Sequence, residues 1–251
     1  MNYFSHQTAA ERYASGRPYL HPVILQHIRE FIGRARFGSV LDVACGTGQS
    51  SQAALKYADR VIGMDISPEM LSQAKAATGM DFLQARAEEL PFAEKSFDLI
   101  TVGLAFHWFD QDRFLREANR VLRSSGHLVI YNSGFLGEFT SCPAFAEWNA
   151  CDYLPRYPIP SRINRPVTQD WVREFGFTLA AHQSFDTEFP LTHEQLVNYL
   201  LTQSNIIAAV EQGREKLEDV TAWIRSETAQ FFATPTGPAR FRIHIDDLIK
   251  I

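Results

Sequence analysis

The sequence predicts an α/β protein: a seven-stranded, mostly parallel sheet with helices on both faces and a helical lid inserted in the C-terminal half. Three observations carry this reading. Five short apolar runs alternate with helix-patterned stretches as far as residue 131, the rhythm of parallel strands joined by crossover helices. A glycine pair, Gly46 and Gly48, follows the first run. Two late segments, around Phe185-Thr187-Phe189 and Phe241-Ile243-Ile245, alternate with a period of two and read as the last two strands. Right-handed crossovers then place the strand ends, and any ligand, along one edge.

Taken in order, residues 22–34 read as an amphipathic helix, with Ile24, Leu25, Ile28, Phe31 and Ile32 at helical spacing and Pro22 at the first position. Gly38 turns the chain into the first strand, Val40 to Ala44. A helix through Ala53, Ala54 and Leu55 leads to the second strand, Val61 to Met64, which ends at Asp65. Ser67 and Pro68 read as helix cap and first helical residue. The third strand lies around Asp81 to Gln84 and the fourth at Asp98 to Val102. A helix carrying Phe114, Leu115, Ala118, Val121 and Leu122 follows, with Gly126 closing it, and the fifth strand is His127 to Tyr131.

From Asn132 the rhythm changes. Tyr153 to Pro166 holds Pro155, Pro158, Pro160 and Pro166 and reads as irregular; a short helix at Thr168 to Phe175 ends at Gly176. Thr192 and Gln195 make a capping box for a helix through Leu196, Tyr199 and Leu200, and further helix is expected from Glu211 to Phe232. The organisation expected is residues 1–35 as lid segment and first helix, 36–134 as ligand-binding core, and 135–251 as lid insertions plus the last two strands.

Composition narrows the function classes. A formal net charge of −5 over 251 residues gives no electrostatic footprint for nucleic acid. Met1 to His6 is not the start of a secretory signal, and no stretch is long enough to span a bilayer. Cys45, Cys142 and Cys151 form no CxxC pair and leave one over in any disulfide scheme, so a reducing cytoplasm is expected and no metal site. The oligomeric state is left open.

Gly46 and Gly48 let the backbone turn sharply and approach a ligand where a side chain would collide. A dinucleotide fingerprint would need a third glycine where Ser51 stands, and no Gly-Lys-Ser/Thr follows for a P-loop. Asp65 ends the second strand about twenty residues after the glycines, the distance at which an acid meets ribose hydroxyls. Cys45, inside the loop, reads as a small buried residue.

These residues resemble those of a known family. Val40-Leu41-Asp42-Val43-Ala44-Cys45-Gly46-Thr47-Gly48-Gln49 is similar to the first motif of class I S-adenosyl-L-methionine (SAM)-dependent methyltransferases, whose fold is Rossmann-like. The resemblance implies SAM as cofactor, Asp42 near its methionine amine, and backbone contacts at Ala44 and Gly46. Many members have glycine at the position of Ala44. Asp65 would hold the ribose, and Ile66 or Met64 the adenine face. Ala85 to Phe92 resembles the segment beneath the adenine, with the Ala87 amide on a ring nitrogen. Arg86 stands where many members carry an acid, so Glu88 is a substitute acceptor or else solvated. The resemblance spans residues 40–131.

His107 lies just past the fourth strand, where the methyl is transferred; it is a base or holds an acceptor oxygen with Trp108 walling the site, or both pack under the lid. Gly103-Leu104-Ala105-Phe106 is not the Asn/Asp-Pro-Pro-aromatic motif of enzymes that methylate nucleobase or glutamine amino groups, which argues for a small-molecule acceptor. Phe4, Tyr13 and Arg17-Pro18-Tyr19, with His107 to Asp110, resemble a subgroup including trans-aconitate methyltransferase-like proteins. That implies an N-terminal segment closing over SAM with Tyr13 or Tyr19 beside it. A carboxylate acceptor would want a cation such as Arg17, Arg156, Arg162 or Arg165. The competing readings are a SAM-binding protein without catalysis and, behind it, an NAD-dependent dehydrogenase.

Overall fold

The structure, a computed structural model, describes residues 16–160 and 165–251. Its strands are β1 (Phe37–Val43), β2 (Ala58–Asp65), β3 (Met80–Gln84), β4 (Phe97–Gly103), β5 (Leu122–Phe139), β6 (Phe177–Thr192) and β7 (Thr236–Lys250). They form one seven-stranded sheet in the order β3-β2-β1-β4-β5-β7-β6. β1 pairs in parallel with β2 and β4, β2 with β3, and β4 with β5. This is the mostly parallel α/β sheet the sequence predicts. The strand order reverses between β1 and β4, and the edge past their C-terminal ends is where sheets of this kind take their ligands.

Both faces of the central strands are buried, as a parallel sheet requires. Leu41 and Val43 of β1, Ile100 and Val102 of β4, and Leu128 and Ile130 of β5 pack on one face against Phe114, Leu115, Ala118 and Val121 of the helix Gln111–Val121. Asp110 caps that helix by accepting from the Arg113 N–H. On the opposite face the alternate residues are Val40, Asp42, Leu99, Thr101, Val129 and Tyr131, all buried. Asp42 and Thr101 stand in register there, a polar pair inside an apolar layer.

Two expectations give way to the geometry. Gly126 does not close a helix: the helix stops at Val121, β5 starts at Leu122, and the ladder to β4 shifts register between Phe97 and Leu99. Ser125, with φ of 56°, and Gly126 form the irregularity inside the strand. The helix expected over Glu211 to Phe232 starts later, at Leu217, and runs to Thr228; a separate helix, Ser204–Glu211, ends where it was expected to begin, and Gly213 with φ of 66° lies between them. The capping box at Thr192 and Gln195 is present in full.

Among the described residues, 19–133, 165–185 and 243–251 form one compact unit, which holds the C-terminal ends of β1, β2 and β4. Residues 16–18, 134–160 and 186–242 form the other, and β5, β6 and β7 each run from one into the other. The second unit is built on aromatic rings: Phe139 meets Phe145 edge-on at 4.8 Å, and Phe135 contacts Tyr199 and Phe241. No helix among the described residues is long and apolar enough to cross a membrane.

Candidate cofactor and acceptor site

The site begins where β1 gives out at Val43 and the chain turns through Ala44–Gly48 into the helix Gln49–Leu55. Gly48 has φ of 79°, and a Cβ there would lie 2.6 Å from Cζ of Phe82, so the turn admits no side chain. Gly46 N–H donates to Oδ2 of Asp65 at 2.8 Å, and Ser67 N–H donates to Oδ1 at 2.9 Å. Each oxygen thus accepts one backbone N–H and keeps a second lone pair, the arrangement that can take two vicinal hydroxyls. Burial raises the Asp65 carboxyl above the usual carboxylate range, against the lowering effect of the Ser67, Gly46 and Ile66 amides. Ile66 beside it is apolar and 47% exposed.

Asp42 is sealed more tightly. Its Oδ2 accepts from the Ser50 and Ser51 hydroxyls at 2.5 and 2.6 Å, its Oδ1 from the Thr101 hydroxyl at 2.9 Å, and it is 1% exposed. Burial raises its carboxyl, the three hydroxyls lower it, and the charge of Asp65 raises it again. The cage ties the start of the helix and the middle of β4 to the end of β1. Sequence reasoning singled out Asp42 but not Thr101, because only strand register brings the two together.

Backbone strain gathers on the same edge. Ala44 and Leu104, at the ends of neighbouring β1 and β4, have φ of 56° and 62°. Non-glycine residues rarely adopt this region, and they hold it where the surroundings over-determine the backbone. Leu104 N–H is held by the Tyr131 carbonyl at 2.9 Å.

Known proteins share this frame. The methyltransferase domain family matches residues 41–130. A candidate methyltransferase of Dictyostelium discoideum is 33% identical over 96 residues, 38% of this chain and 36% of that protein, so the chain spans about a third of it. An uncharacterized methyltransferase of Mycobacterium tuberculosis is 33% identical over 218 residues, covering 84% of this chain and 82% of that one. The chain belongs to the class I methyltransferases. A candidate type II methyltransferase of Anaeromyxobacter dehalogenans has the same fold, with a TM-score of 0.70 at 23% identity over 91% of this chain and 95% of that one.

The other residues singled out in this methyltransferase are placed as follows. Ala87 is buried at the head of the loop after β3. Glu88 accepts from the Asp110 N–H at 3.1 Å and lies 3.5 Å from Arg86, so its carboxylate joins the loop after β3 to the loop after β4. His107 and Trp108 share a short turn past β4, ring against ring at 4.6 Å, with Trp108 41% exposed. Tyr19 is 37% exposed, and burial of its ring raises its phenol. Burial also pushes the Cys45 thiol up, so it is not a reactive thiolate.

Arg17 belongs to the second unit, where it donates to the Thr202 carbonyl at 3.0 Å and lies over the Tyr199 ring. Arg156 pairs with Glu215 and stacks on Trp223, and Arg165 pairs with Asp112 over Trp171. Phe4, Tyr13 and Arg162 lie outside the described residues. Among the described residues, no group of three or more His, Cys, Asp or Glu could hold a metal ion.

One contact carried no signal in the sequence. Nδ1 of His21, the first residue of the helix His21–Ile32, lies 2.9 Å from the Tyr131 hydroxyl across 110 residues.

Proposed function

We propose that the chain binds SAM across the ends of β2, β1 and β4 and transfers its methyl group to a small-molecule acceptor. The observation that carries this is the Asp65 carboxylate. Two backbone amides fix it, and each oxygen keeps a lone pair for a ribose hydroxyl.

The chemistry of the site fits SAM better than a dinucleotide. Asp42 and Asp65 are both buried and close enough for one to raise the other's carboxyl. From Val43 to Leu55 no side chain is charged. Two buried carboxylates beside a turn and helix without a charged side chain would repel a pyrophosphate and favour a ligand carrying an amine and a sulfonium. When bound, SAM supplies an electrophilic methyl on sulfur. Asp65 would hold the ribose, Ile66 would offer its apolar face to the adenine, and the turn Ala44–Gly48 would bring backbone against the methionine part. His107 and Trp108 would meet the acceptor, where alignment and exclusion of water supply most of the rate.

Calorimetric titration of the full chain with SAM, S-adenosylhomocysteine (SAH) and NADH tests the reading. Saturable binding of both adenosyl ligands and none of NADH is the expected outcome. Folded protein that binds neither adenosyl ligand would refute it. A screen with methyl-labelled SAM and small carboxylic acids, phenols and amines then assigns the acceptor class; labelling of none of them leaves a SAM-binding protein without catalysis.

A further inference from the structure

Glu88 lies on the loop after β3, yet its carboxylate reaches the turn after β4. The side chain is only 10% exposed. Oε1 accepts from the Asp110 N–H at 3.1 Å, and Oε2 lies 3.5 Å from Nη2 of Arg86. Each oxygen therefore has a partner within the chain. The turn it reaches is anchored at both ends. At one end Phe106 is 5% exposed, its ring against Phe109, Phe114 and Trp171. At the other, the Asp110 side chain caps the helix Gln111–Val121 by accepting from the Arg113 N–H, while the Asp110 backbone N–H goes to Glu88. His107 and Trp108 stand between these anchors.

The segment that carries Glu88 is fixed on either side as well. Ala85 N–H donates to the Asp65 carbonyl at 3.1 Å, which ties the start of the segment to the end of β2. Leu90 N–H donates to Glu117 at 2.8 Å, and Arg120 donates to the Leu90 carbonyl at 2.8 Å, which pins its end to the helix Gln111–Val121. Ala87 and Leu90 belong to the same apolar cluster as Phe106 and Phe114. The Glu89–Arg113 pair is exposed on both sides and adds little. The strands run in the order β3-β2-β1-β4. A cofactor with its ribose at Asp65 and its methionine across the β1 turn therefore carries its base on the β3 side, where this segment begins.

We propose, resting on the function proposed above, that Glu88 is a positioning residue that joins the two ends of the site. Through the Asp110 N–H it makes the segment 86–89 and the turn 105–110 one body, so a seated cofactor base sets His107 and Trp108 for the acceptor. The base on its segment and the ordered turn then favour each other by the same factor in either direction. Glu88 is thus not the acceptor for the amino group of the base; its oxygens serve the protein.

The test needs no methyl acceptor. The probes are SAH and an SAH analogue that lacks the adenine amino group. Amide hydrogen exchange of the full chain is followed by mass spectrometry over residues 105–110 in wild type, Glu88→Gln and Glu88→Ala, each shown to be folded by circular dichroism. In the wild type, SAH slows exchange there by about fivefold or more. Glu88→Gln keeps an oxygen for the Asp110 N–H and keeps the effect. Glu88→Ala loses it. That variant also binds SAH and the analogue more weakly by the same factor, about fivefold, so the ratio of the two affinities matches the wild type.

Wild-type protein that binds SAH with no slowing over 105–110 overturns the proposal, whatever the variants do. Slowing that persists in Glu88→Ala, or that Glu88→Gln fails to keep, overturns it too. So does an affinity ratio that collapses in Glu88→Ala, which would make Glu88 an acceptor for the base. Wild-type protein that binds neither ligand overturns the function proposed above, an outcome distinct from the others.

Discussion

Replacing Thr101 by valine removes one of the three hydroxyls around Asp42 while keeping the β-branched shape that suits β4. Thr101 is 1% exposed and its hydroxyl donates to the buried Oδ1 at 2.9 Å, away from bulk solvent. A hydrogen bond to a charged group contributes about 1.5–3 kcal/mol, which makes the expected loss about 2 kcal/mol. For a chain of this size that is a fall of about 4–8 °C in melting temperature. In an Asp42→Asn background the bond is neutral and its loss should cost about 1 kcal/mol, leaving a coupling of about 1 kcal/mol in the double-mutant cycle.

The pH dependence follows from the direction of the Asp42 shift. Burial raises its folded carboxyl above the unfolded value. Its contribution to stability is therefore full below the unfolded pKa and is lost as pH rises through the folded one. Removing a donor raises the folded value further, so the Thr101→Val penalty should be largest near neutral pH and shrink in acid. Urea unfolding at several pH values reads both effects. A loss below about 0.5 kcal/mol at neutral pH, or a penalty that grows in acid, would refute a charged, caged Asp42.

Ala44→Gly relieves a left-handed alanine at the cost of a half-buried methyl and a freer unfolded chain; thermal melts should show a net gain of about 0.5–1 kcal/mol, and a clear drop would contradict strain at that turn. Asp65→Asn in ligand-free protein should gain on the wild type as pH rises, because burial raises the Asp65 carboxyl and its ionised form is the less stable one; a difference that moves the other way in pH-dependent unfolding would sink that argument. His107→Asn should raise the acceptor KM with SAM affinity kept if the ring holds the acceptor. Parallel losses of melting temperature and activity would instead assign it to packing.

Much of this was legible because local rules wrote it. The parallel core, the Gly46–Gly48 turn, Asp65 at the end of β2 and the Thr192–Gln195 capping box each follow from residues within one strand or turn of each other. What sequence reading missed depends on register or distance. The Thr101–Asp42 bond spans 59 residues and the His21–Tyr131 contact 110, and neither leaves a trace in periodicity. The Asp110 N–H on Glu88 joins residues 22 apart, a contact that spacing does not show. β5, β6 and β7 outrun the short segments that mark them in the sequence, and each crosses from one unit into the other. Ser125 broke the helix reading because a left-handed serine carries no sequence signature of its own.

Asp65 is the proposed ribose anchor of the SAM site. The measurement that tests it most directly is calorimetric titration of SAM into wild type and Asp65→Ala, with both proteins shown to be folded. Loss of two hydrogen bonds to a carboxylate should weaken binding by at least about thirtyfold. Unchanged affinity in Asp65→Ala would contradict the placement of the cofactor on this edge.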